Sequence, residues 1–525
     1  MVLFLGEEGR WDAAEGLLRN CRVPQQGWCE ALQGLALHRT GKFVESEEAF
    51  RLALERFDDK ELREWTDPRY ALDPSGDGVW GDLDGEEADT MAAWVWHLAD
   101  PLYMVDGNDR WTEQMSRWTE IRAREEAEHP FGIPWGFDLQ ELLMRYGASI
   151  AWERRRQVQT SMRVGDTPDM VGRSLPHARQ FMPPGELIED PTGIPWGAWE
   201  LNVNSPYTAY APSYSPIFRP LDFQVARFRR GDSLRVVAAY TPGPGTARSA
   251  EDLFAEVPVE TATADPFRSG GGDRTPPERN QPPRQGRMDP WGQPQPFGGS
   301  SYPEERMDPA LLVQPPPGPF AAGAMFLSPG PGRDPIRVDG SEGGTGVYDV
   351  TVLNGQYVVS LEVYDEFESR AWRARQGARQ ADLIPGLTAL SDVLLVKDVA
   401  NLPETLESAI PDALPGHGIR AGGSVIAAWE VYGLEPGEPM AVNVAVNEAD
   451  GDFFQRIGEL LRLSEPEEPV VMTWEEGSPD GMRAFFRSVR LSLPNLEPGR
   501  YVLSIEVVLP GRDAMVTSTP LVIGG

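Results

Sequence analysis

The sequence predicts an α+β multidomain protein. Helical hairpin repeats lie at its N-terminus, followed by a Trp-rich helical middle segment and antiparallel β-sandwich domains at the C-terminus. The chain has 525 residues, the length of roughly three or four domains. Apolar residues recur at helical spacing before residue 160. From Phe223 onward they alternate with polar residues in short segments separated by turn residues, as antiparallel strands do.

The charge balance and the hydropathy exclude two classes of partner. The chain has 48 basic and 81 acidic residues, and its formal net charge at pH 7 is −33. Such a charge repels phosphate backbones and anionic membrane surfaces, so we expect no nucleic acid partner. The longest apolar stretch, residues 91–99, is far shorter than the roughly 20 residues that span a bilayer. We therefore expect no membrane insertion.

Residues 1–60 contain a repeat in which small and aromatic residues recur 32 positions later. The two copies are Gly9, Trp11, Ala14, Leu18 and Cys21, then Gly41, Phe43, Ser46, Phe50 and Ala53. A period of this length is typical of helical hairpins that stack on one another. The register resembles the tetratricopeptide repeat (TPR), with a small residue, here Gly34, where two helices touch. The resemblance implies a stacked array with a concave surface.

The repeat register also predicts something about the start of the chain. Residues 11–20 would form the second helix of a hairpin, yet few residues precede Gly9. Because such a helix buries its apolar face against its partner, we expect an upstream extension with at least one more helix and an export signal. A frayed terminal cap is the alternative. The extension would place the protein in the periplasm or cell envelope.

Residues 61–160 form the Trp-rich helical segment. One predicted helix opens at Asn108, and another covers residues 86–98. The residues on one face of the first helix are Trp111, Met115, Trp118 and Ile121. We expect Trp94, Trp111 and Trp118 to pack internally, because their spacing forms apolar helix faces.

The sequence predicts no cofactor and no metal. Residues 73–86 form an acidic, Gly-rich loop, but the Asp spacing does not fit an EF-hand, so a solvated loop is favoured over a calcium site. The five His residues do not fall at zinc-ligand spacing. Motifs of nucleophilic, phosphate-binding and dinucleotide-binding sites are absent from the sequence. A spatial pair of carboxylates for glycoside hydrolysis stays open.

Cys21 and Cys29 leave two alternatives open. They lie at either end of a predicted turn between helices and could cross-link in an oxidising compartment. Two buried thiols are the alternative.

Strands are predicted in two blocks after a Pro- and aromatic-rich connecting region at 161–222. Residues 223–400 form the first β-sandwich. Its insertion at 265–303 contains no Leu, Ile or Val, so we expect a disordered hairpin loop there. Residues 401–525 form the second sandwich.

Two local features are predicted within the second sandwich. Residues 453–463 have the pattern of a short helical insertion. The Pro-Gly turn signal at 496–499 predicts that the strands on its two sides pair as an antiparallel hairpin.

Several short motifs occur in order along the chain. They are Asn108-Asp109-Arg110, Pro134-Trp135-Gly136-Phe137-Asp138, Arg145-Tyr146-Gly147, Leu390-Ser391-Asp392-Val393, the segment 429–434 and Leu496-Glu497-Pro498-Gly499-Arg500-Tyr501. With the helical repeats and the C-terminal strands, these motifs make the chain resemble the GWxTD-domain proteins of Gram-negative bacteria, which often carry tetratricopeptide repeats. The resemblance implies the architecture and an envelope location. It supplies no reaction.

We therefore expect a non-enzymatic interaction or scaffold protein of the bacterial cell envelope, which binds partners through TPR-like helices and β-sandwich domains. The predicted partner-binding residues on the outer helical surface are His38, Arg39 and Lys42. The acidic charge favours a protein partner with a basic face. The candidate motif residues, which either line a binding groove or serve packing, are Trp135, Asp138, Arg145, Tyr146 and Gly147. A carbohydrate-binding or carbohydrate-active β-sandwich protein is the alternative.

Overall fold

The structure is a computed structural model that describes residues 1–23, 25–81, 83, 85–125, 136–149, 151–155, 169–173, 178–199, 201, 207–242, 321–340, 345–380, 387–449, 470–478, 484–493 and 496–524. The helices are α1 (Val2–Glu7), α2 (Trp11–Leu18), α3 (Trp28–Arg39), α4 (Phe43–Leu54), α5 (Asp59–Thr66), α6 (Pro74–Gly81), α7 (Gly85–Ala99), α8 (Asp109–Arg124), α9 (Phe137–Tyr146), α10 (Gly185–Glu189) and α11 (Leu406–Ala409).

The strands are β1 (Ala151–Arg155), β2 (Asp169–Arg173), β3 (Ile217–Pro220), β4 (Asp222–Arg230), β5 (Ser233–Thr241), β6 (Ala322–Ser328), β7 (Ile336–Asp339), β8 (Gly346–Leu353), β9 (Gln356–Asp365), β10 (Arg370–Arg379), β11 (Ala389–Leu390), β12 (Leu394–Val396), β13 (Gly418–Arg420), β14 (Ser424–Tyr432), β15 (Pro439–Glu448), β16 (Val470–Gly477), β17 (Ala484–Ser492), β18 (Gly499–Val508) and β19 (Met515–Gly524). A helical N-terminal segment thus precedes the larger β-sheets, which confirms the mixed α+β class. The described residues belong to one unit of the chain, 1–247 with 316–525.

Helices α3 and α4 approach closely because a glycine lies at their contact. A Cβ atom on Gly34 would lie 2.8 Å from the ring of Phe50, too close for real Cβ atoms. Ser46 on α4 donates a 2.8 Å hydrogen bond to the Gly34 carbonyl. The two copies of the sequence repeat each begin a helix, with Trp11 opening α2 and Phe43 opening α4. The sequence repeat therefore corresponds to a repeated helical element.

A disulfide joins Cys21, which follows α2, to Cys29 in the first turn of α3. The two residues are 8 positions apart in the sequence. In the chain-entropy model, closing so short a loop stabilises the folded state by about 2–3 kcal/mol.

We expect replacement of both Cys21 and Cys29 by Ser to lower the free energy of unfolding by about 2 kcal/mol, because the unfolded chain regains the loop entropy. Urea unfolding followed by Trp fluorescence measures this change. Reductant should destabilise the wild-type protein to the same extent and leave the double variant unaffected. A wild-type protein insensitive to reductant would contradict the prediction.

The acidic segment 73–86, predicted as a loop, contains helix α6. Pro74 occupies the first position of the helix, where its missing N–H costs nothing. Asp73 accepts a 2.8 Å hydrogen bond from the Gly76 amide, which caps the first turn. A Cβ on Gly185 would lie 2.1 Å from the Gly76 nitrogen, so α6 and α10 meet through two glycines. The loop prediction was wrong because the Asp73 cap and the contact with α10 stabilise a helix in a segment that has no apolar periodicity.

The Trp-bearing helices pack inward, as predicted. Trp118 is buried, and Trp111 packs against the same cluster as Met115 and Ile121. Trp94 of α7 packs against a separate cluster that includes Leu98. Asn108 caps α8 by accepting a 2.9 Å hydrogen bond from the Trp111 amide. The predicted start of this helix is therefore confirmed.

Strands β3 to β10 form two sheets that share one core. The first sheet has the order β3-β10-β9-β6-β7, and the second has the order β4-β5-β8. Apolar residues of both sheets meet between them, among them Val236, Tyr240, Met325, Leu361 and Trp372.

Strands β11 to β19 form a second pair of sheets with its own core. One sheet has the order β11-β14-β12, with β17 also paired to β14, and the other has the order β13-β19-β18-β15-β16. Trp429 of β14 is fully buried among Val442, Leu503 and Leu521 of the facing sheet.

The two pairs of sheets pack against each other through β4 and β5. The second face of these strands, with Ala226, Phe228 and Val237, meets Ile426 and Ala428 of β14. Strands β4 and β5 are thus covered on both faces, which is why β5 is buried along most of its length instead of on alternate residues.

Three predictions about strand pairing are wrong. Strands β17 and β18 flank the turn signal at 496–499, but β17 pairs with β14 whereas β18 pairs with β15 and β19. Strands β5 and β6, which flank the predicted insertion, likewise lie in different sheets and do not pair with each other. Sheet edges are also not purely antiparallel, since β3 pairs with β10 and β13 with β19 in parallel. A turn signal marks a reversal of the chain and not the sheet to which the chain returns.

Strand β1 lies within the stretch to residue 160 that was predicted as mostly helical, and it pairs antiparallel with β2. Trp135 and the predicted insertions at 265–303 and 453–463 lie outside the described residues. Within the described part of the chain, none of the helices has both the length and the apolar character needed to span a bilayer.

Candidate functional site

Helix α8 buries both of its faces. Its Trp face packs in the helical core. Its opposite face carries charged residues at i, i+4, i+7 and i+11, and three of the four are almost fully buried. These residues are Glu113, Arg117, Glu120 and Arg124. Buried charges require partners, so the surrounding chain must supply them.

Glu113 lies at the centre of the charged face. It accepts a 2.7 Å hydrogen bond from Arg117 Nε and a 3.0 Å bond from Arg39. His38 Nε2 lies 2.9 Å from the same carboxylate. Burial disfavours the ionised form of Glu113, but Arg39, Arg117 and His38 outweigh it and hold the pKa of the carboxyl well below its usual range. Glu113 is therefore a fixed anion.

Arg117 and Arg39 extend the network in two directions. Arg117 donates 2.8 Å hydrogen bonds to the carbonyls of Met144, near the end of α9, and Ala209. Arg39 also pairs with Glu120 at 2.9 Å. The cluster thus connects α3, α8, α9 and the segment around residue 209.

A cavity of about 290 Å³ opens beside this network. Leu3, Trp11 and several alanines form its apolar walls, and the α8 charges form its polar side. The cavity also brings together residues from two separate sequence predictions, since Arg39, Tyr146 and Gly147 all line it. Gly147 has φ +75°, and a Cβ there would lie 3.3 Å from the Arg117 guanidinium.

The remaining predicted residues lie elsewhere. Arg145 stacks 3.8 Å over the Tyr207 ring and pairs with Glu141 at 2.8 Å. Asp138 is exposed in the first turn of α9. Lys42 pairs with Glu15 at 2.7 Å on the surface.

His38 is a correction to the predicted outer surface, because only 4 % of the residue is exposed. Its Nδ1 lies 2.8 Å from the Thr112 hydroxyl of α8. Burial lowers the pKa of His38, and the neighbouring Glu113 opposes this shift. Arg39 is also largely covered, because α8 packs along this face of α3. The sequence missed the α8 residues because their spacing equally fits a solvated helix face.

Asp109 is a buried acid at the start of α8. It accepts hydrogen bonds from the hydroxyls of Tyr210, at 2.8 Å, and Tyr214, at 3.4 Å. Burial raises the pKa of Asp109 to about 7, although these two hydrogen bonds oppose the shift. Because the folded-state pKa lies above the unfolded value, the acid favours the folded state at low pH, and this contribution is lost as pH rises towards 7.

We expect Asp109→Asn to remove this pH dependence. The stability difference, wild type minus variant, should fall by about 2 kcal/mol between pH 5.5 and 8, because each unit of pKa shift corresponds to about 1.4 kcal/mol. Urea unfolding at the two pH values measures it. The titration of His38 is common to both proteins and largely cancels in the difference. A difference that stays constant with pH would contradict the prediction.

In the described part of the chain, no group of three or more His, Cys, Asp or Glu side chains is placed to hold a metal ion. The arrangement at α8 offers charged groups in fixed ion pairs beside an apolar cavity. Such a site can recognise a side chain that combines an apolar stem with a charged end.

Comparisons with known proteins give no family. No family model matches the sequence, and no curated protein matches it. Among solved structures, the chain is similar to a red sea bream transglutaminase at 8 % identity over 58 % of this chain and 31 % of that chain, with a TM-score of 0.14. It is similar to the native conformation of E. coli alpha-2-macroglobulin at 10 % identity over 58 % and 16 %, with a TM-score of 0.12. The chain thus spans less than a third of either protein, and likenesses this weak carry no argument about its function.

Proposed function

We propose that the protein is a non-enzymatic interaction protein of the bacterial cell envelope, whose helical segment binds a protein partner with a basic face. The observation that carries the proposal is the cavity beside α8. Its apolar walls suit the stem of a Lys or Arg side chain, and Glu7 lies at its edge with 64 % of its side chain exposed.

Glu7 is the acid in the cavity with the most room for a new partner. Among the described residues, the basic group nearest to Glu7 is that of Arg124, at 3.5 Å, whereas Glu113 and Glu120 each form shorter ion pairs with two arginines. A basic side chain of the partner entering the cavity would pair with Glu7 without dismantling the buried network.

The charge of the neighbouring helices supports a basic partner. Residues 55–89 contain thirteen acidic and four basic side chains. Several of these acids are exposed on α5 to α7, among them Asp59, Asp77 and Glu87. A field of this sign speeds the approach of a basic surface and weakens as salt rises over a Debye length of about 10 Å at 0.1 M.

The finer architecture belongs to the same proposal. We propose that α1 to α4 are TPR-like repeats, which the Gly34 contact and the repeated helix starts support. We also propose that the paired sheets are two β-sandwiches and that the chain is a divergent relative of the GWxTD-domain proteins. The envelope location rests on that relationship.

Pull-down from native envelope extract at low and high salt tests the proposal. A Glu7→Lys variant should lose the partner that the wild-type protein retains at low salt, because the cavity would repel a basic side chain. Glu8→Lys is the matched control, since Glu8 is an adjacent exposed acid that does not line the cavity. We expect the Glu8→Lys variant to retain the partner.

Arg39→Glu is unsuitable as a binding test, because it would break the buried pairs with Glu113 and Glu120. Lys42→Glu, on the exposed side of the hairpin, tests the predicted role of the outer helical surface instead. Equal recovery by the wild-type, Glu7→Lys and Glu8→Lys proteins would refute the role of the cavity. Recovery of no partner by the wild-type protein would refute the protein-binding function itself.

A further inference from the structure

A second cavity, of about 270 Å³, lies among the β-sheets and shares no lining residue with the cavity beside α8. The loop 192–196, strands β4, β10 and β19, the segment 392–393 and His417 line it. Ile194 and Val393 give it apolar surface. Its volume lies just below the typical range of ligand sites, which is about 300–1,000 Å³. It therefore admits a single small ring and not an extended chain.

Two buried acceptor atoms among the lining residues have no hydrogen-bond partner within the described part of the chain. They are Nδ1 of His417 and Oε1 of Gln376. His417 is 94 % buried, with only 6 % of the residue exposed. Its ring bonds the backbone of Phe223, so Nε2 carries the proton and Nδ1 presents a lone pair. Burial lowers the pKa of His417 to about 3, and the ring is neutral at physiological pH.

The charged groups lining the cavity are matched. Arg227 forms a bidentate pair with Asp392, with distances of 2.6 and 2.9 Å. Arg379, half exposed at the rim, pairs with Asp190 at 2.5 Å. Because these charged groups are already paired with each other or with Asp190, a charged ligand would find no unpaired counterion among them. The site therefore favours a neutral ligand.

An aromatic side chain also lines the cavity. The ring centroids of Trp196 and His417 lie 4.6 Å apart, and the two rings are arranged edge to face. Trp196 is half-buried and lines the cavity. Ser518 and Thr519 add hydroxyl groups that can both donate and accept.

We propose that this cavity binds a neutral, hydroxyl-rich small molecule with the chemistry of a single pyranose ring. Hydroxyl groups of the ring donate to His417 Nδ1 and Gln376 Oε1, and its apolar C–H face packs on Trp196. This binding is independent of the proposed contact with a basic protein partner. The ring is either a free sugar or the terminal unit of a glycan.

Titration calorimetry on the full chain tests the proposal with glucose, galactose and N-acetylglucosamine. Glucosamine and glucuronate serve as cationic and anionic comparators, and a glycan array tests the same ring as a terminal unit. We expect at least one neutral sugar to bind with a Kd in the millimolar range or tighter, and both charged comparators to bind at least tenfold more weakly. Binding on the array but not in solution would assign the site to glycan ends.

Gln376→Leu should weaken binding at least tenfold while leaving the Tm of the free protein unchanged or higher, because the amide oxygen has no partner to lose. His417→Phe, which keeps an aromatic ring beside Trp196, should weaken binding similarly. Gln140→Leu, on α9 and outside the cavity, is the matched control and should bind as the wild type does. Binding of no neutral sugar either in solution or on the array, preference for a charged comparator, or wild-type affinity in Gln376→Leu would each overturn the proposal.

Discussion

Replacement of Arg117 by Met is expected to lower the free energy of unfolding by about 3–5 kcal/mol, the range for breaking a buried ion pair from one side. Only 2 % of the Arg117 side chain is exposed. Met fills a similar volume but leaves Glu113 with one fewer counterion and leaves the Met144 and Ala209 carbonyls without their donor. Urea unfolding followed by Trp fluorescence measures this change, and Trp118 on the same helix contributes to the signal.

Arg122→Met is the matched control on the same helix. Arg122 pairs with Glu61 and Glu125, both at 2.7 Å, but a quarter of its side chain is exposed, so we expect a loss below about 1 kcal/mol. Arg117→Lys should recover only part of the loss, since an ammonium group lacks the planar fork that reaches Glu113 and two carbonyls together. If Arg117→Met cost no more than Arg122→Met, the α8 network would contribute no more than a surface pair.

Replacement of Arg375 by Met is expected to have an effect of similar size, about 3–5 kcal/mol, at the contact between the helical segment and β10. The Arg375 side chain is fully buried, and it donates to the carbonyls of Leu98 and Asp100, the latter at 2.8 Å. It also lies 4.1 Å over the Tyr103 ring. Its loss leaves the buried Glu362 carboxylate without the guanidinium group that lies 3.6 Å away in the wild-type protein.

Arg379→Met provides the control on the same strand. Arg379 is half exposed and pairs with Asp190, so its loss should cost less than about 1 kcal/mol. Amide hydrogen exchange adds a local measurement. In Arg375→Met, the amides of Tyr103 and Met104, which donate to Glu362, should exchange faster than in Arg379→Met. Equal exchange in the two variants would show that Arg375 does not hold this segment on the sheet.

Features fixed by neighbouring residues could be predicted from the sequence. Helix α8 begins after Asn108 because a polar cap and an apolar period of 3.6 residues act within one or two turns. Strands β4 and β5 pair as predicted because alternating residues flank the short turn at Gly231. The glycine at position 34 and the repeated aromatic residues likewise located α3 and α4.

The burial of the charged residues was decided by tertiary structure alone. In the sequence, Glu113 and Arg117 fit a solvated helix face as well as a buried one. Arg375 likewise fits a solvated face of strand β10 as well as a buried one. Each is buried because its counterpart comes from far along the chain: Arg39 lies 74 residues from Glu113, and Leu98 lies 277 residues from Arg375. Tertiary structure likewise decides which sheet receives β17 and which sheet receives β18. Periodicity determines which residues share a face, whereas only the packed structure determines whether water or another part of the chain meets that face.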